Sequence, residues 1–256
     1  MLLSEIPEKP AICVSVGNCS FEDIPDTIKY AKSKKAECVE IRFDLIKDLK
    51  NNPNHDKISK IASFAKENNI VIIAAYRNKE KHNKAGKTSA GVNKKPAFLK
   101  KLVESGITAL DVELDLTEKP AIADIVKFAH SKNAEIILSV HDFNSSGDIQ
   151  KTLQFYLEAA YFGADFFKMA VMPDCREEAL EILLINTKIK EIMASDPKNY
   201  PKFTIFGMGD NGKITRVLSL LYGSFMAYCP SPFGLTAPGQ IDIDNFQRLY
   251  SSLSAI

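Results

Sequence analysis

Residues 164–171 read Ala164-Asp165-Phe166-Phe167-Lys168-Met169-Ala170-Val171, a short apolar run with one lysine in its middle. Side chains alternate in direction along a strand. Phe166, Lys168 and Ala170 therefore share one face, and Phe167, Met169 and Val171 the other. Seven further β-branched or aromatic runs lie at 11–16, 38–44, 71–77, 109–115, 135–142, 202–208 and 223–229. Longer amphipathic segments lie between and after them, at 24–33, 57–68, 97–105, 121–131, 149–162, 177–195, 214–221 and 244–253. Strand and helix in alternation imply a parallel sheet. Eight repeats in 256 residues, with no linker or low-complexity break, predict an α/β fold: one (β/α)8 barrel domain over residues 1–256. An open doubly wound sheet is the structural alternative.

The inner face of these strands carries charge where a barrel should be dry. By the same alternation His141 shares a face with Ser139, Glu40 with Arg42, and Glu113 with Asp111 and Asp115, while Arg77 ends the third strand. Most of these groups sit towards the C-terminal ends of their strands, where barrel enzymes place their active sites. Buried charge is costly unless it is paired or used. For Asp111, Glu113 and Asp115 a structural network of ion pairs accounts for the charge at least as well as a functional role does. Lys168 is different. Flanked by Phe166, Phe167, Met169 and Ala170, it would be desolvated, which favours the neutral, nucleophilic amine, and nearby arginines would push the same way. That arrangement suits Schiff-base formation with a carbonyl substrate. His141 stands on the preceding strand, about 4.8 Å away. It is the expected proton-transfer partner, with a roughly neutral working pKa and a rate that falls as pH drops below it. Asp142 would point outward. His55, His82 and His130 are dispersed, and no spacing resembles a metal site.

Composition narrows the class. A formal net charge of +1 argues against a nucleic-acid footprint or a membrane-surface role. No apolar run approaches the roughly 18 residues of a bilayer span, and residues 1–10 hold no secretory core. Five cysteines, odd in number and without a CxxC pair, read as reduced thiols of a cytoplasmic protein. The lysine-rich segment 79–95 reads as a solvated loop, and secondarily as a device that draws in an anionic substrate. Residues 207–212, Gly-Met-Gly-Asp-Asn-Gly, form a GxGxxG. The dinucleotide fingerprint wants an acid about 20 positions on, and residues 227–231 contain none. A nucleotide cofactor is therefore not expected. A phosphate held by that turn would point instead to a phosphosugar aldolase.

Taken in order, Glu40-Ile41-Arg42-Phe43-Asp44, Ser139-Val140-His141-Asp142-Phe143, Phe167-Lys168-Met169-Ala170-Val171-Met172-Pro173, Gly207-Met208-Gly209, Thr215-Arg216 and Ala237-Pro238-Gly239-Gln240 resemble type I 3-dehydroquinate dehydratase. The resemblance implies a barrel enzyme, commonly a homodimer, that needs neither metal nor nucleotide. It implies dehydration of 3-dehydroquinate to 3-dehydroshikimate, the third step of the shikimate pathway, through an imine on Lys168 with His141 as acid and base. It gives the substrate carboxylate to Arg216, a closing role to Gln240 and Thr236, ring hydroxyls to Glu40, Arg42 and Arg77, and a packing role to Met208. The family usually has Glu-Gly-Gly shortly after the arginine equivalent to Arg77. Here the stretch reads Asn78-Lys79-Glu80-Lys81-His82, and Glu80, one place out of register, takes the histidine-orienting role. Because the chain begins almost at its first strand, the hairpin that often covers the barrel bottom is expected to be missing.

Overall fold

The computed structural model describes residues 1–7, 10–49, 55–77, 94–114, 117–143 and 148–255. Eight strands follow one another: β1 (Ala11–Val16), β2 (Cys38–Arg42), β3 (Val71–Ala75), β4 (Ala109–Glu113), β5 (Glu135–Asp142), β6 (Phe166–Val171), β7 (Lys202–Gly207) and β8 (Met226–Pro230). Each pairs in parallel with the next as far as β7, and β8 returns to pair with β1. That return excludes the open doubly wound sheet. Hydrogen bonds also close the seam between β7 and β8. The Phe225 N–H donates to the Phe203 carbonyl at 2.7 Å, and the Met226 N–H to the Thr204 hydroxyl at 3.1 Å. The fold is a (β/α)8 barrel.

The outer layer comprises α1 (Ile24–Ser33), α2 (His55–Glu67), α3 (Lys94–Glu104), α4 (Lys119–Ser131), α5 (Ile149–Tyr161), α6 (Arg176–Ser195), α7 (Gly209–Gly212), α8 (Thr215–Leu221) and α9 (Ile243–Ser254). No helix among the described residues is long and apolar enough to cross a membrane. The core divides in two, as strand alternation requires. Phe167, Met169 and Val171 pack with the helices, whereas Phe166 and Ala170 join a smaller cluster inside the barrel.

Element ends differ from the sequence reading for local reasons. The strand expected over 38–44 stops at Arg42, because residues 43–45 wind into a 3-10 turn. The strand expected from 164 begins at Phe166, because Gly163, with φ at 75°, and the Ala164 N–H, bonded to the Ala159 carbonyl at 3.0 Å, belong to the turn that ends α5. The strand expected from 223 begins at Met226, because Gly223, with φ at 109°, belongs to the preceding turn. The one-turn helix α7 was not foreseen. It starts inside the GxGxxG stretch, whose glycines serve close packing: a Cβ at Gly207 would stand 2.6 Å from the Gly212 Cα. At the opposite end of the barrel, residues 3–5 form a 3-10 turn. Leu3 and Ile6 are buried against the inner cluster, and the Leu3 and Ser4 N–H groups donate to the Glu135 carboxylate.

Candidate active site

The middle of the barrel holds a layer of four side chains from alternate strands, the packing rule of this fold. They are Glu40 (β2), Asp111 (β4), Lys168 (β6) and Tyr228 (β8), all buried. The Lys168 Nζ lies 2.7 Å from the Glu40 Oε1 and 2.9 Å from the Asp111 Oδ2, and 3.9 Å from the centre of the Tyr228 ring. Each carboxylate is fixed from behind by a hydroxyl. Ser15 donates to the Glu40 Oε2 at 2.9 Å, and Ser139 to the Asp111 Oδ1 at 2.5 Å. The Arg77 guanidinium stands 3.7 Å from Glu40 and 3.6 Å from Asp111.

This environment revises the reading of Lys168 as an amine stripped bare by apolar neighbours. Its flanks on β6 are apolar, but its tip meets two carboxylates and a ring face. The amine therefore rests in an ion-pair cluster with proton acceptors within hydrogen-bonding reach. Burial opposes the Asp111 charge, yet the Lys168 ammonium and the Arg77 guanidinium outweigh it and hold that carboxyl well below its usual range. Asp111 is thus part of the site, a role that sequence alternation left equal to a structural one.

His141, on β5, is nearly covered, and its Nδ1 has no hydrogen-bond partner among the described residues. Burial pushes its pKa well below 6.5, and the Arg77 and Lys168 cations add to the shift against the opposing Asp111. The ring is therefore neutral in the ligand-free protein, which corrects the roughly neutral working pKa expected from its residue type. The pH profile of kcat/KM reports the free enzyme. It should stay flat as pH falls through about 6.5, the reference histidine value, with its His141 limb at lower pH. An inflection between about 6 and 7 would show that His141 titrates as an exposed histidine does. The same shift affects stability: below the unfolded-chain pKa the unfolded state takes up a proton that the folded state refuses. This group therefore lowers stability as pH drops through that region.

Arg42 is held by a bidentate pair with Asp44, at 2.9 and 2.8 Å. Arg216, at the start of α8, is placed otherwise. It stacks on the Phe206 ring, 4.5 Å from ring centre to guanidinium carbon, and donates to the Pro238 carbonyl at 2.8 Å. No carboxylate pairs with it among the described residues, its Nε is buried without a partner, and burial lowers its pKa to about 10. Gln240, in the last loop, accepts from the Thr236 N–H at 2.8 Å and the Ala237 N–H at 3.3 Å. Its carbonyl is spent on holding the loop, which leaves the amide NH2 for a ligand. Gly239 makes that loop possible: with φ at 75° it lies so close to Gly209 that a Cβ would meet the Gly209 carbonyl oxygen at 2.5 Å.

One cavity gathers these groups at the C-terminal end of the barrel. Lys168, His141, Glu40, Arg42 and Arg77 line it, together with Met208, Arg216, Thr236 and Gln240. Ser15, Phe206 and Tyr228 line it as well and were not anticipated. Their signal was present, since each faces inward by alternation, Ser15 and Phe206 towards the upper ends of their strands and Tyr228 in the middle of its own. Glu80, the segment 79–95 and Asp115 fall wholly or mostly outside the described residues.

The type I 3-dehydroquinase family model matches residues 12–256, through every strand that bears a site residue. The chain belongs to that family. It is accordingly an enzyme, a 3-dehydroquinate dehydratase acting on a small molecule. It is 28% identical over 243 residues to the 3-dehydroquinate dehydratase of Methanococcus maripaludis (strain C7), covering 93% of this chain and 97% of that one. It is 30% identical over 244 residues to that of Coxiella burnetii (strain CbuK_Q154), covering 94% and 92%. The crystal structure of 3-dehydroquinate dehydratase from Geobacillus kaustophilus superposes with a TM-score of 0.81 at 22% identity, over 96% of this chain and 92% of that one. This last likeness speaks for the dehydratase's fold alone.

Proposed function

We propose that this enzyme dehydrates 3-dehydroquinate to 3-dehydroshikimate through an imine on Lys168, as the third step of the shikimate pathway. One observation carries the reading. A single cavity holds a buried lysine and a buried arginine, Arg216, that lacks a counter-anion among the described residues. Such a cavity suits a molecule with a ketone and a carboxylate.

The Lys168 ammonium gives one proton to His141, and the free amine attacks the C3 ketone. His141 returns that proton to the carbinolamine hydroxyl, and water leaves. Of the three hydrogens on the ammonium, two depart in that water and one stays on the iminium, so charge is conserved. The iminium draws electrons from C2, and His141 removes a C2 proton to give the enamine. The enamine expels the C1 hydroxyl, which takes the proton from His141 and leaves as water. A further water hydrolyses the remaining iminium and restores the ammonium. In this scheme Arg216 pairs with the carboxylate. The Gln240 amide and Thr236 hydroxyl close over it, Arg42, Arg77 and Glu40 meet ring hydroxyls, and Met208 packs against the ring. Glu80 has the orienting role towards His141 that the family resemblance gives it.

Borohydride trapping with 3-dehydroquinate, read by intact mass and peptide mapping, tests the chemistry. A substrate-dependent adduct on Lys168 is the expected result. Turnover without any adduct would overturn the imine.

The same proposal includes a single catalytic domain over residues 1–256, a cytoplasmic location and a homodimer. Leu157 and Tyr161 on α5 and Leu180 and Leu184 on the adjoining α6 are exposed, Tyr161 by 85%. Exposed apolar side chains spaced i, i+4 on each of two neighbouring helices suit an association surface. Sedimentation equilibrium should give twice the single-chain mass for the protein and the single-chain mass for a Tyr161→Glu, Leu184→Glu double variant. A single-chain mass for the unsubstituted protein would remove the dimer.

A further inference from the structure

Tyr228 closes the fourth side of the layer that holds Lys168, and the imine proposal gives it no task. Its ring face, not its edge, is presented to the amine: the Nζ stands 3.9 Å from the ring centre, inside the roughly 6 Å range of cation–π attraction. Phe206 braces the ring at 5.9 Å between centroids. The residue is buried, and burial, with the nearby Glu40 and Asp111 carboxylates, raises its phenol well above the ordinary range, so the ring stays neutral.

What such a face can do follows from a count of hydrogens. The resting ammonium carries three N–H groups, enough for the Glu40 and Asp111 carboxylates with one to spare. A protonated imine at the same nitrogen carries one. When the ammonium becomes an iminium, at least one of the two carboxylate hydrogen bonds at Nζ must be given up. The positive charge nevertheless remains. An aromatic face attracts a cation through its quadrupole and needs no N–H to do so. The carboxylates keep their charge attraction but lose a directional contact, whereas the contact of Tyr228 with Nζ does not depend on the number of donors.

We propose that Tyr228 is a further positioning residue of this enzyme, whose ring face holds the Lys168 nitrogen in place and stabilises its cationic iminium. This rests on the imine reading of the site. The ring acts on the iminium more than on initial substrate capture, so its loss falls on turnover and on imine accumulation. Removing a desolvated cation–π contact should cost roughly 10- to 30-fold.

The test compares Tyr228→Leu, which removes the ring, with Tyr228→Phe, which keeps it and removes the hydroxyl. Tyr228→Leu should lower kcat by that factor, with KM changed less than about threefold, and should slow the borohydride-trapped adduct in parallel. Tyr228→Phe should recover most of the loss in both readouts. Thermal melting of each variant shows that the barrel is formed. Four results bear on the proposal, and the wild-type control separates it from the reading beneath it. No adduct in the wild type removes the imine, and this inference with it. A wild-type adduct with undiminished kcat in Tyr228→Leu overturns Tyr228 alone and leaves the imine standing. A Tyr228→Phe variant as slow as Tyr228→Leu overturns it too, because the hydroxyl, not the ring, would then be the acting group. An unfolded Tyr228→Leu together with a folded, wild-type-like Tyr228→Phe moves the comparison to Tyr228→Met, where undiminished trapping would overturn the inference and slowed trapping would support it.

Discussion

Lys168→Ala should cut turnover by on the order of 10^4-fold or more, the scale seen when a covalent nucleophile is removed, while the barrel still forms. No other described amine lines the cavity, so no iminium can draw electrons from the substrate, and His141 would face an ordinary ketone. The same substitution strips Glu40 and Asp111 of the ammonium at 2.7 and 2.9 Å and leaves them Arg77, at 3.6 to 3.7 Å. Breaking a buried pair from one side costs about 3–5 kcal/mol at neutral pH. That cost should depend on pH with a definite sign. In the wild type Asp111 has a depressed pKa, so it adds stability above the unfolded-chain value of 3.8, and the gain is lost as pH falls through the folded value. In the variant the lysine's share of that depression is gone and burial opposes the charge, so the protein recovers stability by taking up a proton. Urea unfolding should therefore show a large gap between wild type and Lys168→Ala at pH 7, and a smaller one as pH approaches the carboxylate range. An equal gap at both ends would mean that Asp111 does not depend on the lysine for its charge. Residual turnover within tenfold of wild type would mean that the reaction does not pass through Lys168.

Strand alternation was enough to place Lys168, His141, Glu40 and Arg42 inside the barrel, because the period of two is a property of the backbone and independent of context. The end of the third strand singled out Arg77, the family resemblance gave roles to Arg216, Met208, Thr236 and Gln240, and all five line the cavity with them. What alternation does not contain is height. In a closed barrel the strands are staggered, so residues far apart in sequence reach one level only once the shear is known. Asp111 and Tyr228 were both readable as inward-facing, yet nothing local says that they meet the lysine of β6. For the same reason the lysine was read from its apolar neighbours on β6, when the groups that set its charge come from β2 and β4. The Arg42–Asp44 pair hides in the other direction: two residues apart, they would lie on one face of a continued strand, and the 3-10 turn over 43–45 lets Asp44 fold back onto the guanidinium. The histidine-orienting group is the part on which the structure adds nothing, since Glu80 lies outside the described residues.

Arg216→Met should lower kcat/KM by roughly 100-fold or more and at the same time leave the protein no less stable, or more so. The first effect is the loss of a charge-assisted pair to the substrate carboxylate, of the size found when one partner of a buried charged pair is truncated. It should appear mainly as a raised KM, because the carboxylate is bound in ground state and transition state alike. The second follows from how the fold treats this cation. Burial lowers its pKa from 12.5 to about 10, so its charged form is held against the preference of its surroundings. A base with a depressed folded pKa subtracts stability at neutral pH and returns it only as pH rises towards the unfolded value. The penalty is on the order of 3 kcal/mol before the Phe206 stacking offsets part of it. Methionine fills a similar volume without a charge to desolvate. A protein that keeps such a group at a cost is keeping it for a ligand, and supplying the ligand should reverse the cost. Saturating product should therefore raise the melting temperature of the wild type by mass action and that of Arg216→Met far less. If Arg216→Met melts well below the wild type with KM unchanged, Arg216 is holding the Pro238 carbonyl and the last loop in place, and the carboxylate of the substrate is bound elsewhere.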